Sequence, residues 1–472
     1  MEKNIGSGRN SQSPKNMCDV CGICADYVYS SMDPTQPVPY DLEHDVHRIT
    51  LYSTVAREHQ HRDMRQRLYL HLDMNCFYAQ VEQRAYNLYG FPLAMGGWRK
   101  PDGTPRGIVA TASYEARRLG VKTAMSAYEA ARICPYLLFM QIDYDKYKAI
   151  SVQLRQVLDE FSPTVEKYSM DEYFMDVTFL RRQSRARITA FVQALKRRLY
   201  RVTGLVASVG VATSKTYAKL ASDLRKPDGM MLILAPDDAA QHLFHLPLDE
   251  VWGIGSRRFR RLRDRGIQTI ADAHRAGPVP FRRLFGAMQG QLFHEIVTGR
   301  DRAKVLENDH HVPDEVSYMH TFSDWTVDPV LVQGEIVRAV RKVCYRLRGY
   351  DRKASQWACH IRFQQAHWEG TTFAFRTPGY TNLDDYVLCA ALPPAMRVVE
   401  QALAKGERIR GIGLHTIEMR HHNQVELFFR EEPRMRSLFQ AADCLNNLYG
   451  QDTVAKAAVQ HVVPGKTHFV SR

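Results

Sequence analysis

The sequence lacks a long apolar run. No stretch approaches the roughly 18 consecutive apolar residues that a membrane-spanning helix needs, which argues against an integral membrane protein. The first 15 residues are polar and contain no apolar core of the kind found in secretory signal peptides. From these two absences we expect a cytoplasmic protein with no membrane partner.

Cysteine is sparse, with 9 among 472 residues, and most cysteines stand alone in apolar surroundings. That distribution favours reduced core side chains over a disulfide framework. The clustered exception is a C-x2-C-x2-C run formed by Cys18, Cys21 and Cys24. Two interpretations stay open: a zinc site completed by His44 or His47, or free thiols, since the spacing of the fourth ligand matches no established zinc motif.

Acidic residues are outnumbered by basic ones. Lys and Arg total 64 and Asp and Glu total 51, so the net charge is +13 and the isoelectric point is near 9.3. A protein this basic is expected to bind an anionic partner, most commonly nucleic acid. The alternative is a basic surface that binds nothing. The length of 472 residues predicts two to four domains, and 45% apolar residues suffice for packed cores.

Carboxylates stand inside two apolar, aromatic-rich stretches. Residues 70–79 contain Asp73, and residues 168–176 contain Asp171 and Glu172. Both stretches read as buried strands, and an unpaired buried carboxylate costs several kcal/mol. A pair of divalent cations held by three carboxylates on adjacent strands, as in phosphoryl or nucleotidyl transfer, explains that placement. Alternatively, Asp73 caps a strand end, and Asp171 and Glu172 begin a turn.

The two acidic stretches belong to an ordered set of motifs. The set comprises D-M-N-C-F-Y-A at residues 73–79 followed by Val81 and Glu82, A-T-A-S-Y-E-A-R at residues 110–117, and S-M-D-E at residues 169–172. In order and spacing these motifs resemble the Y-family translesion DNA polymerases, and most closely the DNA polymerase IV branch. The resemblance extends from about residue 68 to the C-terminus and does not cover the first 66 residues.

The resemblance implies a two-metal active site with two Mg²⁺ ions. Asp73, Asp171 and Glu172 are then the catalytic carboxylates and metal ligands, and the backbone carbonyl of Met74 is a further ligand. Asn75 stands where the DNA polymerase IV branch often has aspartate, and we assign it no catalytic role.

The resemblance also implies how the incoming sugar and base are accommodated. Tyr78 becomes the steric gate, a rigid ring that leaves no room for a 2′-hydroxyl. The competing interpretation of Tyr78 is a core tyrosine at a helix start. Ile108, Ala110 and Ala124 match the positions that lie over the nascent base pair in the family. Two of the three are alanine, and such small side chains imply loose packing on the base pair and poor fidelity.

Three more residues are implied as triphosphate ligands. Tyr114 and Arg117 are three residues apart on a predicted helix that Gly120 ends, so they share a face. The planar guanidinium of arginine suits phosphate oxygens, although an ordinary surface arginine would look the same. Lys226 precedes the Pro-Asp-Gly turn, and only the resemblance supports it as a ligand.

A glycine-rich turn followed by a basic helix predicts DNA binding in the thumb. Residues 251–255 contain Gly253 and Gly255 and resemble a helix-hairpin-helix, whose glycines let backbone amides approach a phosphate. Arg257 opens a group of six arginines that ends at Arg265. A solvated helix face is the alternative, but such a one-signed cluster repels itself without an anion.

The resemblance and the strand and helix patterns together predict an α+β fold. We expect a right-hand polymerase with a ferredoxin-like palm, small fingers, a helical thumb and a β-α-β-β-α-β little finger. The predicted segments are an N-terminal extension at 1–66, the palm at 67–77 and 145–240, the fingers at 78–144, the thumb at 241–305, the little finger at 314–420 and a tail at 421–472.

The tail carries a candidate partner motif. Gln424, Leu427 and Phe428 form the Gln-x-x-Leu-Phe pattern of sliding-clamp-binding peptides, followed by a predicted amphipathic helix over 435–448. In the alternative interpretation these residues continue the last strand and pack against that helix.

Together these observations predict a template-directed, low-fidelity DNA polymerase for translesion synthesis that adds dNMP to a primer 3′-hydroxyl. It is expected to act as a monomer on primer–template DNA and dNTPs, with the sliding clamp as partner. No second acid cluster indicates a proofreading exonuclease. Two alternatives stay open: a catalytically inactive scaffold that binds DNA and the clamp, and an inserter restricted to deoxycytidine.

Overall fold

The computed structural model describes residues 67–306, 312–363, 370–421, 433–450 and 453–454. The chain divides into two compact units, Met1–Asp309 and His310–Arg472. The helices of the first unit are α1 (Phe77–Tyr86), α2 (Tyr114–Arg118), α3 (Ala127–Ile133), α4 (Tyr144–Phe161), α5 (Arg185–Thr203), α6 (Lys215–Leu224), α7 (Pro236–His242), α8 (Ser256–Arg263), α9 (Ile270–Ala276), α10 (Pro278–Phe285) and α11 (Ala287–Val297). Its strands are β1 (Tyr69–Met74), β2 (Leu93–Met95), β3 (Trp98–Arg99), β4 (Pro105–Arg106), β5 (Thr111–Ala112), β6 (Leu138–Met140), β7 (Val165–Lys167), β8 (Glu172–Asp176), β9 (Ala207–Ala212) and β10 (Met230–Ile233).

A five-stranded sheet forms the centre of the first unit, in the order β10-β9-β1-β8-β7. Strand β1 is antiparallel to both of its neighbours, and β10 adds in parallel to β9. Within this sheet, β1, β7, β8 and β9 follow one another along the chain, with α4 before β7 and α5 before β9. They form the β-α-β-β-α-β succession expected for a ferredoxin-like palm. Every residue of β1 and of β9 is buried, so both faces of the sheet are covered at its centre.

Local sequence explains where the helices of this layer begin and end. The amphipathic pattern of residues 144–161 predicts a helix, and α4 spans these residues. The sequence also predicts a basic helix over residues 191–203, but α5 begins six residues earlier, because the Ser184 side chain accepts a hydrogen bond from the Arg187 amide and caps an earlier turn. It ends at Gly204, whose φ of +64° lies in the left-handed region that glycine favours.

A smaller region is inserted between α1 and α4. It contains a three-stranded sheet in the order β5-β2-β6 and the two-stranded hairpin of β3 and β4. The sequence predicts a strand over residues 107–112, and this prediction is only partly right. Regular pairing covers Thr111 and Ala112, and elsewhere the segment makes one isolated bridge, between Ile108 and Ser126.

The helices α7 to α11 follow the sheet and share one hydrophobic core with α6, β10 and the outer side chains of β1 and β8. Leu262, Ile270 and Phe281 are fully buried in that core. These helices span residues 236–297, and the assignment of residues 241–305 as the thumb stays a prediction.

The second unit contains a four-stranded antiparallel sheet in the order β11-β14-β12-β13. Its elements are β11 (Ser317–Thr326), α12 (Pro329–Gly349), β12 (Arg352–Phe363), β13 (Gly370–Thr381), α13 (Asp384–Ala404), β14 (Ile409–His421) and α14 (Pro433–Tyr449). Up to β14 the succession is the predicted β-α-β-β-α-β. The two long helices cover one sheet face through a core centred on the fully buried Trp357.

We expected no segment apolar enough to span a membrane. Among the described residues, however, one helix, α13, has the length and the apolar composition of a membrane-spanning helix. Its side chains at a spacing of four residues are buried in the core of the second unit, where Val387, Ala391, Ala395 and Val399 lie. The helix α13 is therefore a core helix, and its apolar character reflects packing against the sheet.

Candidate active site

The three predicted catalytic carboxylates lie at one end of the central strands. Asp73 in β1 stands directly opposite Glu172 in β8, and opposite Ser208 in β9 on its other side. Asp171 directly precedes β8, and its backbone carbonyl accepts a 3.0 Å hydrogen bond from the Met74 amide. The antiparallel register of β1 and β8 thus joins two segments separated by almost 100 residues.

Two lysines neutralise the carboxylates on the strands: Lys219 in α6, and Lys226 in the turn just after α6. The ammonium of Lys226 lies 2.6 Å from Asp73 Oδ2 and 2.6 Å from Asp223 Oδ1, and that of Lys219 lies 2.8 Å from Glu172 Oε1. Burial raises the pKa of Asp73 to about 7 although Lys226 opposes the rise. Burial also acts to raise the pKa of Glu172, but the interactions with His71 and Lys219 prevail and the pKa lies below its usual range.

Asp171 is held separately from the other two. Its Oδ1 accepts a 2.6 Å hydrogen bond from the Ser169 hydroxyl, and the Ser169 oxygen accepts from the Glu172 amide at 3.1 Å. Burial raises the pKa of Asp171 despite the hydrogen bond from Ser169. The short turn before β8 therefore fixes the third acid through one serine.

The donor set fits a hard divalent cation in chemistry. Three carboxylates on neighbouring segments supply the oxygen ligands that Mg²⁺ prefers. Within the part of the chain that the structure describes, no three acidic, histidine or cysteine side chains converge in metal-binding geometry. Asp73 and Glu172 each direct an oxygen to a lysine ammonium. A cation at Asp73 or Glu172 would take over the neutralising role of those lysines.

The predicted steric gate lies beside these acids. The Tyr78 hydroxyl lies 3.7 Å from Met170 Sδ, and the pKa of Tyr78 is raised by burial and by the charge of Asp171. Its ring stacks on Tyr147 with centroids 4.3 Å apart and an interplanar angle of 16°. The buried Glu82 accepts a 2.8 Å hydrogen bond from the Tyr147 hydroxyl, so a carboxylate and a second tyrosine fix the orientation of the gate.

The three predicted triphosphate ligands face the same region. Tyr114 and Arg117 share one face of α2, with the guanidinium 5.3 Å from the ring centroid. Tyr114 is within electrostatic reach of Arg117, Lys226 and Asp73, and burial raises its pKa to about 12. Its hydroxyl is buried without a hydrogen-bond partner among the described residues. A buried hydroxyl of this kind is costly unless a ligand pairs with it.

The three residues expected to lie over the nascent base pair are all exposed. Ile108 is 55% exposed, and Ala110 and Ala124 are exposed as well. Their exposure agrees with a surface that a ligand can contact. Ala124 has a φ of +66°, and its amide donates to the Val109 carbonyl at 2.8 Å.

The predicted helix-hairpin-helix glycines differ in their conformational demands. Gly253 has a φ of +90°, which side-chain-bearing residues rarely adopt, whereas Gly255 has a φ of −73° and caps α8. Arg257 is exposed on α8. The intervening hairpin is positioned by Trp252, whose ring stacks 6.1 Å from Phe174 in β8. The DNA-binding candidate is thereby packed against the strand that carries Glu172.

Sequence reasoning missed several residues of the site. Lys219 lies in α6, whereas Lys226 lies in the turn after it, so only the packing of this segment on the sheet brings both lysines to the acids. His71 lies two residues before Asp73, and its Nδ1 is 2.8 Å from the Ser222 hydroxyl. Burial lowers the pKa of His71 to about 4. The stacking partner Tyr147 carries no sequence signal, because its contact with Tyr78 joins two separate helices.

Two groups of predicted residues lie outside the described ranges. These are the possible zinc ligands Cys18, Cys21, Cys24, His44 and His47, and the clamp motif Gln424, Leu427 and Phe428. The helix that follows the clamp motif is described, and α14 extends the predicted 435–448 by a few residues. It is anchored by Arg348, whose guanidinium donates to Asp443 at 2.5 Å and to Asp384 at 2.9 Å.

Comparison with known proteins gives concordant matches. A sequence model described as the impB/mucB/samB family matches residues 72–223. The chain is 33% identical to DNA polymerase IV of Halorhodospira halophila over 356 residues, which cover 75% of this chain and 96% of that protein. It is 32% identical to DNA polymerase IV of Bacillus velezensis over 410 residues, covering 86% and 96% of the two chains.

A solved structure gives an independent view of the fold. The chain resembles a Y-family DNA polymerase chimera with a TM-score of 0.62 and 22% sequence identity, over 74% of this chain and 98% of that one. At that level of identity the match concerns the fold, and it confirms the predicted α+β class.

Proposed function

Because the chain belongs to the Y-family DNA polymerases, in the DNA polymerase IV branch, it is a template-directed, low-fidelity DNA polymerase of translesion synthesis, and we propose that Asp73, Asp171 and Glu172 carry its chemistry. The family, fold class and enzyme class predicted from the motifs are thus confirmed. Primer–template DNA and nucleotides are its substrates, and a divalent metal is its general cofactor.

The single observation that carries the residue assignment is the pairing of Asp73 with Glu172 across β1 and β8. Two acids rarely occupy facing positions in a buried sheet, because like charges repel and burial disfavours both. The lysine partners make the arrangement stable without a ligand. We take the metal ligands to be these two acids, Asp171 and the Met74 carbonyl, holding two Mg²⁺ ions.

The residues of the chain then divide the work of nucleotidyl transfer. Bound cations would lower the pKa of the primer 3′-hydroxyl and neutralise the triphosphate and the departing pyrophosphate. Arg117, Lys226 and the Tyr114 hydroxyl bind and orient phosphate oxygens. Tyr78, held by its stack on Tyr147, excludes a 2′-hydroxyl. Addition of dNMP extends the primer and releases pyrophosphate.

DNA contacts are proposed for both units. In the first unit the hairpin of Gly253 and Gly255, with Arg257, would bind a backbone phosphate. In the second unit the sheet face opposite the helices carries polar and basic side chains that would contact a DNA backbone, and it includes His360, Arg362, Thr372 and Arg376. Contact with backbone and not with bases suits an enzyme that tolerates damage.

The domain boundaries and biological setting given above remain part of the proposal: a monomer in the cytoplasm, with palm at 67–77 and 145–240, fingers at 78–144, thumb at 241–305 and little finger at 314–420. The tail motif Gln424, Leu427 and Phe428 would bind the sliding clamp. An apolar aromatic anchor on a short peptide suits an exchangeable contact.

Primer extension tests the proposal. The full chain is incubated with a primer–template and each dNTP separately, on undamaged and damaged templates, with and without Mg²⁺. We expect Mg²⁺-dependent incorporation directed by each template base. Extension by dCTP alone would identify a deoxycytidine inserter, and DNA binding without any extension would identify a scaffold.

The clamp assignment has its own experiment. Leu427→Ala with Phe428→Ala should preserve extension of short primers and remove stimulation of processivity by the clamp. Loss of stability and basal activity together, without any clamp present, would instead place these residues in the protein core.

A further inference from the structure

The helix α6 and the turn that follows it present three lysines, each paired with an acid of the five-stranded sheet. Lys215 pairs with Glu166 at 2.7 Å, Lys219 with Glu172, and Lys226 with Asp73. The three pairs differ in one respect that matters. Lys226 has a second acid, Asp223, at the same 2.6 Å distance as Asp73. Its ammonium can therefore leave Asp73 without losing its last ionic partner.

The surroundings of Lys226 allow a side-chain movement without a backbone movement. Its side chain is 24% exposed, whereas that of Lys215 is 5% exposed. The turn that follows Lys226 is held by Lys196, whose ammonium lies 2.9 Å from Asp228 Oδ1. The exposed Asp223 lies three residues before Lys226, in the last turn of α6. Both carboxylates are 2.6 Å from the ammonium, so a side-chain movement suffices to exchange one partner for the other.

Asp73 and a bound triphosphate would compete for the Lys226 ammonium. Asp73 is a proposed metal ligand, and an ammonium on its carboxylate both occupies an oxygen and repels an approaching cation. A triphosphate, in contrast, carries several negative charges and attracts the same ammonium. The unpaired Tyr114 hydroxyl lies within reach of the charges of both Lys226 and Asp73, so a triphosphate bound there would be placed to draw the lysine away.

We propose that Lys226 is an exchangeable counterion that covers Asp73 in the free enzyme, and that the incoming triphosphate removes it and so opens Asp73 to a divalent cation. This inference rests on the proposed assignment of Asp73 as a metal ligand. It makes nucleotide binding and metal binding mutually reinforcing through one lysine, since a coupling between two binding sites is reciprocal. In the free enzyme Asp73 therefore resists loading with metal.

The first test measures metal binding without nucleotide. The full chain is titrated with Mn²⁺ alone and free Mn²⁺ is followed by electron paramagnetic resonance. Lys226→Gln should bind Mn²⁺ about tenfold more tightly than the wild type, a size typical of coupling between sites. Lys226→Arg keeps the positive charge and should stay near the wild type. The surface variant Lys148→Gln removes the same charge elsewhere and should leave the affinity unchanged.

The second test measures nucleotide binding without metal. A non-hydrolysable dNTP analogue is titrated calorimetrically in EDTA into the wild type, Asp73→Asn, Lys226→Gln and the double variant. Asp73→Asn should bind the analogue more tightly, because Lys226 is released toward the triphosphate. That gain should vanish in the double variant, giving a non-additive cycle. Glu172→Gln removes an equal charge but leaves the Lys226 pair intact, and its gain should be smaller.

Two results would overturn the inference. One is an affinity of Lys226→Gln for Mn²⁺ equal to or weaker than that of the wild type. The other is a gain from Asp73→Asn that is the same with and without Lys226. Either result with normal primer extension by the wild type rejects the counterion role and leaves the polymerase assignment standing, whereas absence of extension rejects the assignment itself.

Discussion

The five-stranded sheet of the first unit and the four-stranded sheet of the second contain the same succession of four strands and two helices but order their strands differently. In the first unit β1 is central and lies between β9 and β8, whereas in the second unit β11, which has the equivalent place in the succession, is an edge strand. All residues of β1 are buried, while those of β11 are mostly exposed or half-buried. The first strand of the succession is therefore buried in the first unit and largely accessible to solvent in the second.

That difference matches two kinds of chemistry. A central strand covered on both faces has low dielectric surroundings, where carboxylates interact strongly with lysines or cations. A sheet covered by helices on one face only leaves the side chains of its other face, such as His360 and Arg362 in β12, partly accessible to a binding partner. The same element order can thus support catalysis in one unit and binding in the other.

The largest expected effect tests the catalytic side of the comparison. Glu172→Gln keeps the size of the side chain but removes its charge, so extension in Mg²⁺ should fall by about a thousandfold or more, the equivalent of several kcal/mol of transition-state stabilisation. Affinity for primer–template, measured by fluorescence anisotropy, should change little. Substantial extension by this variant would refute the carboxylate assignment.

The next effect concerns the gate beside that strand. Tyr78→Ala should admit ribonucleotides, reducing discrimination between dNTP and rNTP by roughly 10- to 200-fold, as expected for one steric contact. Tyr147→Phe keeps the stack and removes only the hydrogen bond to Glu82, so its effect should be smaller. The measurement is the ratio of kcat/KM for the two sugars; an unchanged ratio in Tyr78→Ala places the gate elsewhere.

A third prediction contrasts the histidines of the two sheets. Burial depresses the pKa of His71 from an unfolded value of 6.5 to about 4, so the unfolded chain binds more protons between those pH values. The first unit should therefore lose on the order of 3 kcal/mol as the pH falls from 6.5 to 4, and nothing from this residue above 6.5. His360 in the second unit is less buried, and its pKa is lowered by burial and by Arg362.

Hydrogen exchange during urea unfolding at pH 7 and pH 5 separates the two sheets. Protection of β1 should fall more than protection of β12 after correction for intrinsic exchange rates. His71→Asn, which can keep the hydrogen bond to Ser222, should reduce the pH dependence of the first sheet. Equal acid sensitivity of wild type and variant would contradict this explanation.

The smallest effect tests the binding side. Arg362 and Arg376 lie on the sheet face opposite the helices. Replacing either by alanine should reduce the slope of log DNA affinity against log salt concentration by about 0.9, with a modest loss of affinity. Arg397→Ala removes the same charge from α13 on the covered side and is the matched control. If all three variants behave alike, the open face is not the DNA-binding surface.

Much of the fold was predictable because its signals are local. The amphipathic pattern of α4 gave its ends correctly, and the alternation of residues 356–363 and 371–375 predicts the hairpin of β12 and β13, although both strands are longer. The short strands before α2 were predicted less well, since two-residue pairings depend on neighbours and carry little periodicity. The basic helix α5 was predicted too short because its N-terminal cap precedes the apolar pattern.

The amino-acid sequence by itself predicted the family, which the comparisons confirm, and it predicts the carboxylates and the gate, because these depend on residue type and spacing within short motifs. Only the tertiary structure decided which side chains meet: Lys219 with Glu172, Lys226 with Asp73, and Tyr147 with Tyr78. Those contacts join segments distant in the chain, and the ionic pairs follow from how α6 and the turn after it pack on the sheet. Strand order, which makes β1 central and β11 an edge, likewise depends on long-range packing that no local pattern records.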